Sequence, residues 1–590
     1  MKAYQDNIDQ LQKESSRLTA SDRRISVSRL LSITAAAFLY YQYNQTDNVF
    51  LLLAGVITTI AFLLLIKKHK FIRWENALAK AKIEINKDEL SFLENGKPRF
   101  DDGSAFIQHD HPYSYDLDFF GEHSLFQTLN RTGTTYGKRG LANNLLHILP
   151  EKKILETQEA VKELTPHLTW RHQLLALSRI KPDSPESNKE LLEWAGRKPR
   201  RISKVVRLLS FLLPAITIIF FGFYLIHSSE LLGRLSGLLF LINLGILGAH
   251  MLSIKAELIS TTKIEDILKH YSYLLKEIEQ TDFQSEKLKQ LQSSLTSRET
   301  KASEAIHHLS LLFGRLEHVT NIFASPLLNG SLQYHIHVLH ALQHWREKHA
   351  EHLEEWMQTI GEIEAINSLS NFAYNNPDFV FPTINHEKQI QFKDLGHPLI
   401  SKDKSVTNSI DFNSKKFFIL TGSNMSGKST FLRTVGLNMV LAGIGAPVYA
   451  SKAHVYPMPV FVSMRLSDSL TDSESYFYAE VKRLNYIMEQ LNKGEAFVLL
   501  DEILRGTNSD DKRNGTMEVI RKMAEKKAFG GIATHDLEVC NVSDEYSESL
   551  INKRFEVEIV NDELVFDYKL RDGICENKSA SFIMRKMGVI

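Results

Sequence analysis

Cysteine is nearly missing from this 590-residue chain. Cys540 and Cys575 are the two present, too few for a disulfide scaffold or a four-thiolate metal site, and they fit a reducing compartment. Net charge is missing as well: 70 Lys+Arg balance 70 Asp+Glu, so no global field draws the chain to a polyanion. Glycine is scarce where helices would want it scarce. Between Lys255 and Phe323 the one glycine is Gly314, which excludes a loop-rich or hairpin-rich segment and reads as long amphipathic helices. Tandem repeats and low-complexity tracts are also lacking. What remains is ordinary globular composition, 43% hydrophobic and 24% charged, in a length that allows two to five domains at roughly 100–200 residues each.

The apolar residues are unevenly placed. Val49–Ile66, Leu208–Ile226 and Leu235–Leu252 are runs of 18, 19 and 18 residues without a charged side chain. A bilayer core of about 30 Å takes about 20 such residues as a helix, and a soluble helix would show a polar face that these lack. A shorter run, Leu30–Tyr43, pairs with the run at 49 across a five-residue gap and is expected to be a further span, at about 27–43. Basic residues flank the runs on one side: Arg23, Arg24 and Arg29 before the first, Lys67, Lys68, Lys70 and Arg73 after the second, and Arg197 to Arg207 before the third. Their placement predicts two hairpins that enter from the cytoplasm and return to it. No small-residue cleavage site follows the first run, so it reads as retained.

The remainder divides by texture. Residues 1–74 hold the first hairpin, 75–114 a connector, 115–200 the first part of a helical core, 201–252 the second hairpin, 253–384 a long-helix lever, and 385–590 a domain in which short β-rich runs alternate with helices. That alternation is the pattern of a parallel α/β sheet. Residues 554–560 and 564–570 read as a terminal hairpin. The histidines at 335, 337, 340, 344, 349 and 352 read as a packed or solvated helix face, since no HExxH accompanies them.

The chemistry concentrates after residue 417. Gly422-Ser423-Asn424-Met425-Ser426-Gly427-Lys428-Ser429-Thr430 fits G-x-x-x-x-G-K-[ST], with the apolar run Phe417–Leu420 leading in and a helical run leading out. Such a loop turns its backbone N–H groups toward phosphate oxygens at a helix N-terminus. Lys428 would reach the β/γ-phosphates and the Ser429 hydroxyl a Mg²⁺ ion. Farther on, the apolar run Phe497–Leu500 delivers Asp501 to the metal side and Glu502 to an attacking water. A third run, Gly531–Thr534, ends at His535, placed to sense the γ-phosphate.

These residues resemble the MutS family of DNA mismatch-recognition ATPases. The resemblance is carried by 421–450, by Val406–Ile410 and Gly396-His397-Pro398 before it, and by 468–484, 501–509 and 533–538, with 124–146 similar to the start of the family's core domain. It implies an α/β P-loop ATPase domain with a MutS/ABC-like parallel sheet beside a long-helix core, ATP and Mg²⁺ as ligands, and a homodimer closed by ATP. Carried over, Gly422 to Thr430 bind nucleotide, Ser429 and Asp501 hold Mg²⁺, Glu502 is the catalytic acid, His535 the switch histidine, and Ser475 reaches the partner subunit's nucleotide in trans.

The sequence also departs from the family. Residues 67–114 are too few for a mismatch-reading domain, and Phe92-Leu93-Glu94 reads as a chance match to its wedge. Leu504 stands where the family has glycine. Residues 253–372 hold 11 Lys+Arg against 16 Asp+Glu, where a duplex-gripping surface leans basic. The leading expectation is a membrane-anchored MutS-type ATPase with weak, mismatch-indifferent DNA binding. The alternative is an ATP-driven switch on a protein or lipid partner. An ABC-type transporter ranks third, for want of a Leu-Ser-Gly-Gly signature.

Overall fold

The computed structural model describes residues 1–96, 99–198, 202–258, 264–296, 300–321, 323–465, 476–560 and 563–576. Two long helices open the chain, Lys2–Thr46 and Val49–Asn95, and they fold back on one another across Asp47 and Asn48. Asn48 caps the second helix by accepting from the Phe50 N–H at 3.0 Å. The pairing is antiparallel along its whole length: Tyr40 meets Thr59, Asp22 meets His69 at 2.7 Å, and the Ser15 hydroxyl donates to Asn76 at 2.7 Å. The connector expected over 75–114 therefore begins as a continuation of the second helix, to Asn95, and the paired polar ends of the two helices form a stalk.

A second antiparallel pair, Lys204–His227 and Glu230–Glu257, turns at Ser228, whose φ is 48°. Among the described residues three helices are long and apolar enough to cross a membrane by length and composition: the one starting at Val49 and both helices of this second pair. The run at 30–43, expected to be a fourth, lies in the helix Lys2–Thr46, which is not among them. The reason is local: the run is short, and polar Gln42, Asn44 and Gln45 dilute its end.

The helical core is organised on the 42-residue helix Tyr334–Asn375. It crosses the helix Thr135–Leu146 at glycines. A Cβ on Gly361 would stand 2.6 Å from the Tyr136 carbonyl oxygen, and one on Gly140 would stand 3.0 Å from the Gly361 carbonyl oxygen. The same crossing buries Glu364, which accepts from the Gly133 and Thr134 N–H groups at 2.9 and 3.2 Å and from the Thr134 hydroxyl. A carboxylate at a helix N-terminus is favourably placed against the helix dipole.

After residue 380 come twelve described strands: β1 (Thr383–Ile384), β2 (Gln391–Leu395), β3 (Asn408–Asp411), β4 (Phe417–Thr421), β5 (Lys452–Val455), β6 (Val460–Ser463), β7 (Phe497–Asp501), β8 (Phe529–Thr534), β9 (Leu550–Arg554), β10 (Val557–Val560), β11 (Glu563–Phe566) and β12 (Arg571–Asp572). A six-stranded sheet runs β12-β9-β4-β8-β7-β6, parallel except at β12. Strands β4, β7 and β8 are buried at every position, which is why each reads as an unbroken apolar run rather than an alternation. A smaller sheet, β1-β5-β2-β3, packs beside it, and β10 and β11 form the terminal hairpin.

The connector after the stalk is strapped to the large sheet. The Val462 N–H on β6 donates to the Pro112 carbonyl at 2.8 Å. Asp116, buried, accepts from the Met464 and Arg465 N–H groups at 2.7 and 2.8 Å. Arg483 donates to the carbonyls of Val462, His111 and Pro112. Burial pushes the Asp116 carboxyl upward, and those two N–H bonds pull against it.

Candidate functional site

The C-terminal ends of β4, β7 and β8 lie side by side, because Thr421 pairs with Thr534 and Asp501 with Ala533. Open parallel sheets bind ligands at that edge. The chain leaving β4 forms a tight turn at Gly422–Gly427 and enters the helix Lys428–Gly443. Gly427 has a φ of 97°, a conformation glycine adopts without penalty, and a Cβ there would press on the Tyr568 ring at 3.1 Å. The Ser423 and Ser426 hydroxyls are buried in this turn with no hydrogen-bond partner. A buried polar atom without a partner is expensive, so the turn is built to receive an acceptor-rich group.

Lys428 is buried at the start of that helix, and its ammonium donates to the Gly422 and Ser423 carbonyls at 2.8 and 3.0 Å. Burial lowers its pKa, while Glu502 and Asp501 nearby oppose the shift. Asp501 is raised by burial, with a hydrogen bond from Ser429 acting the other way. Ser429, Lys428 and Asp501 thus face one another at the strand ends. Glu502 follows in a left-handed conformation, φ 47°, with its N–H on the Ala533 carbonyl at 3.0 Å. Its carboxylate stands 3.4 Å from Nδ1 of His535 and 3.6 Å from the Arg505 guanidinium.

The turn opens into a cavity of about 470 Å³ whose lining includes Asn424 to Phe431, Glu502, His397, Val406 and Tyr568. Burial, with Arg433 nearby, lowers the His397 imidazole to about 4, so it is neutral in this wall. The residues expected to form the site, Gly422 to Thr430 with Asp501, Glu502 and His535, come together around this cleft. Ser475 lies outside the described residues.

Sequence reasoning did not assign Glu480, Arg505 or Tyr568. Glu480 accepts from the Arg505 N–H at 2.9 Å and from the Leu504 N–H, pinning the turn that carries Glu502. Burial raises its pKa. Arg505 Nε donates to the Glu502 carbonyl at 2.8 Å. Both lie in segments already singled out, so the signal was there without a role. Tyr568 reaches the turn from just beyond the terminal hairpin; the hairpin was legible in the sequence, but its contact with Gly427 was not.

Residues 418–588 match the family model for MutS domain V. MutS protein homolog 4 of Homo sapiens is 29% identical over 273 residues, 44% of this chain and 27% of that protein. The DNA mismatch repair proteins MutS of Petrotoga mobilis and Thermotoga maritima are each 30% identical, over 251 and 250 residues, 41% of this chain and 30% and 31% of theirs. The chain thus spans about three-tenths of the length of these relatives.

Proposed function

From the likeness of its C-terminal part to MutS proteins, we propose that the chain is a MutS-type, membrane-anchored ATPase whose nucleotide cycle drives a dimer switch. The observation that carries this reading is the cleft itself. Two partnerless buried hydroxyls, a buried lysine, and the Asp501–Glu502 pair converge where three parallel strands end. In this reading the backbone of Gly422–Thr430 and the Lys428 ammonium hold the phosphates. Lys428 exchanges its two carbonyl partners for phosphate oxygens. Ser429 and Asp501 would hold Mg²⁺, which would supply charge neutralisation for the phosphates. Glu502 takes the proton of the attacking water at its carboxylate, and His535, 3.4 Å away, holds that carboxylate in place. Ser475 acts across the interface of a homodimer.

The test is nucleotide binding and turnover by the detergent-solubilised chain. Lys428→Ala is expected to weaken ATP binding at least tenfold, since the chief positive charge on the phosphates is gone. Equal binding by the variant overturns the site. Mixing Ser475→Ala with Lys428→Ala chains tests action in trans: activity that merely tracks the fraction of intact chains rules it out.

The anchoring proposal places the protein in the cytoplasmic membrane, multi-pass, with the ATPase domain facing the cytoplasm. It is supported by the three apolar helices and the basic flanks. The likeness to the DNA mismatch repair proteins MutS supports DNA as partner. The acidic balance of residues 253–372 favours a second reading, in which the same engine acts on a protein or lipid partner.

A further inference from the structure

We propose that residues 323–334 are a further membrane element, a half-inserted helical segment that rises beside the second hairpin to mid-bilayer depth, with lipid acyl chains as its occupant. The inference rests on the membrane reading of that hairpin and goes beyond it, because no apolar run marks this segment as a span.

From His318 to Trp345 the sequence contains no Asp, Glu, Lys or Arg. Within it, the helix Ala324–Leu332 packs on both helices of the second hairpin. Its outer face is apolar and bare: Phe323, Leu327 and Leu332 are 87, 65 and 45% exposed. Exposure of that kind in water is unfavourable, at roughly 25 cal/mol per Å² of apolar surface. Leu327 shares a cavity wall with Ile218 and Phe221 of the hairpin, themselves 50 and 51% exposed, so the same surroundings serve both.

The contacts fix the depth. Asn243 is fully buried in the middle of the apolar stretch Gly237–Ala249, and its amide donates to the Gly330 carbonyl at 2.9 Å and to Thr217 Oγ1 at 3.3 Å. Gln333 donates back to Asn243 Oδ1 at 2.8 Å. Thr217 lies 13 residues above Lys204 and 10 below His227, about 20 and 15 Å along the helix at 1.5 Å per residue. Gly330 therefore meets the hairpin near the middle of a core about 30 Å thick. A Cβ on Gly330 would stand 2.2 Å from the Phe240 ring, so the approach is as close as glycine permits. Non-spanning backbone is tolerated at such depth where its polar groups find protein partners, and Asn243 supplies one to the Gly330 carbonyl. Between the segment and the hairpin lies a cavity of about 740 Å³, lined by Phe221, Tyr224, Phe240 and Leu327 among others, with the charged Glu230 and Arg234 beside the hairpin turn. Its mostly apolar wall suits an acyl chain.

The test places a bimane fluorophore at single engineered cysteines in the full chain, reconstituted in phosphatidylcholine–phosphatidylglycerol vesicles that carry mid-chain doxyl lipid. Cys540 and Cys575 are buried and do not compete for label. Positions are Leu327→Cys and Phe323→Cys, with Ile219→Cys on the hairpin and Glu351→Cys on the core helix as references. The expected result is strong quenching at 327 and 219, weaker or equal quenching at 323, and none at 351. Quenching at 219 with none at 327 or 323 overturns the proposal while the hairpin's membrane reading stands, and it means another protein covers that face. Quenching at none of the four overturns both.

Discussion

Arg131 closes on Glu89 through a buried ion pair in which neither side chain is more than 2% exposed. The two residues come from unlike parts of the chain. Glu89 sits near the end of the helix that begins with the apolar run at 49, and Arg131 opens the helical core. Around them the amides of Asn371 and Asn375 donate to the Glu89 oxygens at 3.0 Å each, and the Tyr4 hydroxyl donates to Asn375 at 2.7 Å. Stalk and core are thereby one polar-locked unit. Burial raises the Glu89 carboxyl, but the Arg131 charge and hydrogen bonds outweigh it and leave it below the usual carboxylate value.

Removing one partner strands the other charge. Glu89→Ala is expected to destabilise the fold by about 3–5 kcal/mol. Replacing both residues, Glu89→Met with Arg131→Met, should recover most of that loss. Urea unfolding of the solubilised protein, single variant against double, measures it. A single variant within about 1 kcal/mol of the parent would show that the pair is not the lock.

Acid should loosen the fold in a defined window. Burial lowers His111, His172 and His397 to about 4, from an ordinary value of 6.5. Between those values the unfolded chain binds protons that the folded chain does not. Stability is therefore unaffected by these groups above pH 6.5 and falls as pH drops from 6.5 toward 4. Unfolding midpoints measured from pH 7.5 to 4.5 should decline over that interval. His172→Phe, which removes one buried imidazole stacked on Tyr4 at 5.7 Å, should flatten the slope.

Two carboxylates near the cleft should separate by their kinetics. Glu502→Gln is expected to bind ATP yet turn it over roughly 10²–10⁴ times more slowly, the usual contribution of a positioned base. Glu480→Gln touches no part of the cleft lining. It should lower turnover more modestly by freeing the turn at Leu504 and Arg505, with ATP affinity unchanged. Single-turnover rates and binding titrations on both variants give the comparison. A Glu480→Gln chain with wild-type turnover would mean that the turn holds itself.

DNA affinity, where present, should come from phosphate contacts and fall with salt. The acidic lever predicts few such contacts and a shallow dependence of log affinity on log salt. Matched and mismatched duplexes should bind alike. A titration series from 50 to 200 mM salt tests both points, and a preference for a mismatch above about 1–3 kcal/mol would reveal a reading element.

The sequence announced the cleft more fully than its surroundings. Buried parallel strands leave apolar runs that end in their functional residue, so Asp501 and His535 were legible as strand ends. The Gly-x-x-x-x-Gly-Lys spacing is itself backbone geometry. Leu504 is a mixed case: its departure from the family's glycine was visible, but its consequence was not. It stands at φ 58°, where an L side chain is strained by roughly 1–2 kcal/mol, in the turn pinned by Glu480. Contacts between distant segments left no local mark. Asp116 on Met464 and Arg465, Tyr568 on Gly427, and the helix Ala324–Leu332 on the second hairpin all depend on tertiary pairing that periodicity does not encode. The helix from Val49 to Asn95 shows the opposite error. Its change of composition suggested a boundary between residues 74 and 75, but a helix passes from apolar to polar surroundings without a break in its backbone ladder.

The strap at Pro112–Asp116 bears on how copies of this chain can associate. A parallel sheet exposes a row of backbone donors and acceptors along its last strand, and a neighbouring molecule can extend the sheet there into a growing fibre. Strand β6 holds that position; the N–H and carbonyl of its Val462 are taken by Pro112 and Arg483, and the Met464 and Arg465 N–H groups just beyond the strand by Asp116. The opposite margin is the two-residue β12. Among the described residues, runaway strand-to-strand polymerisation is thus blunted at both margins of the sheet.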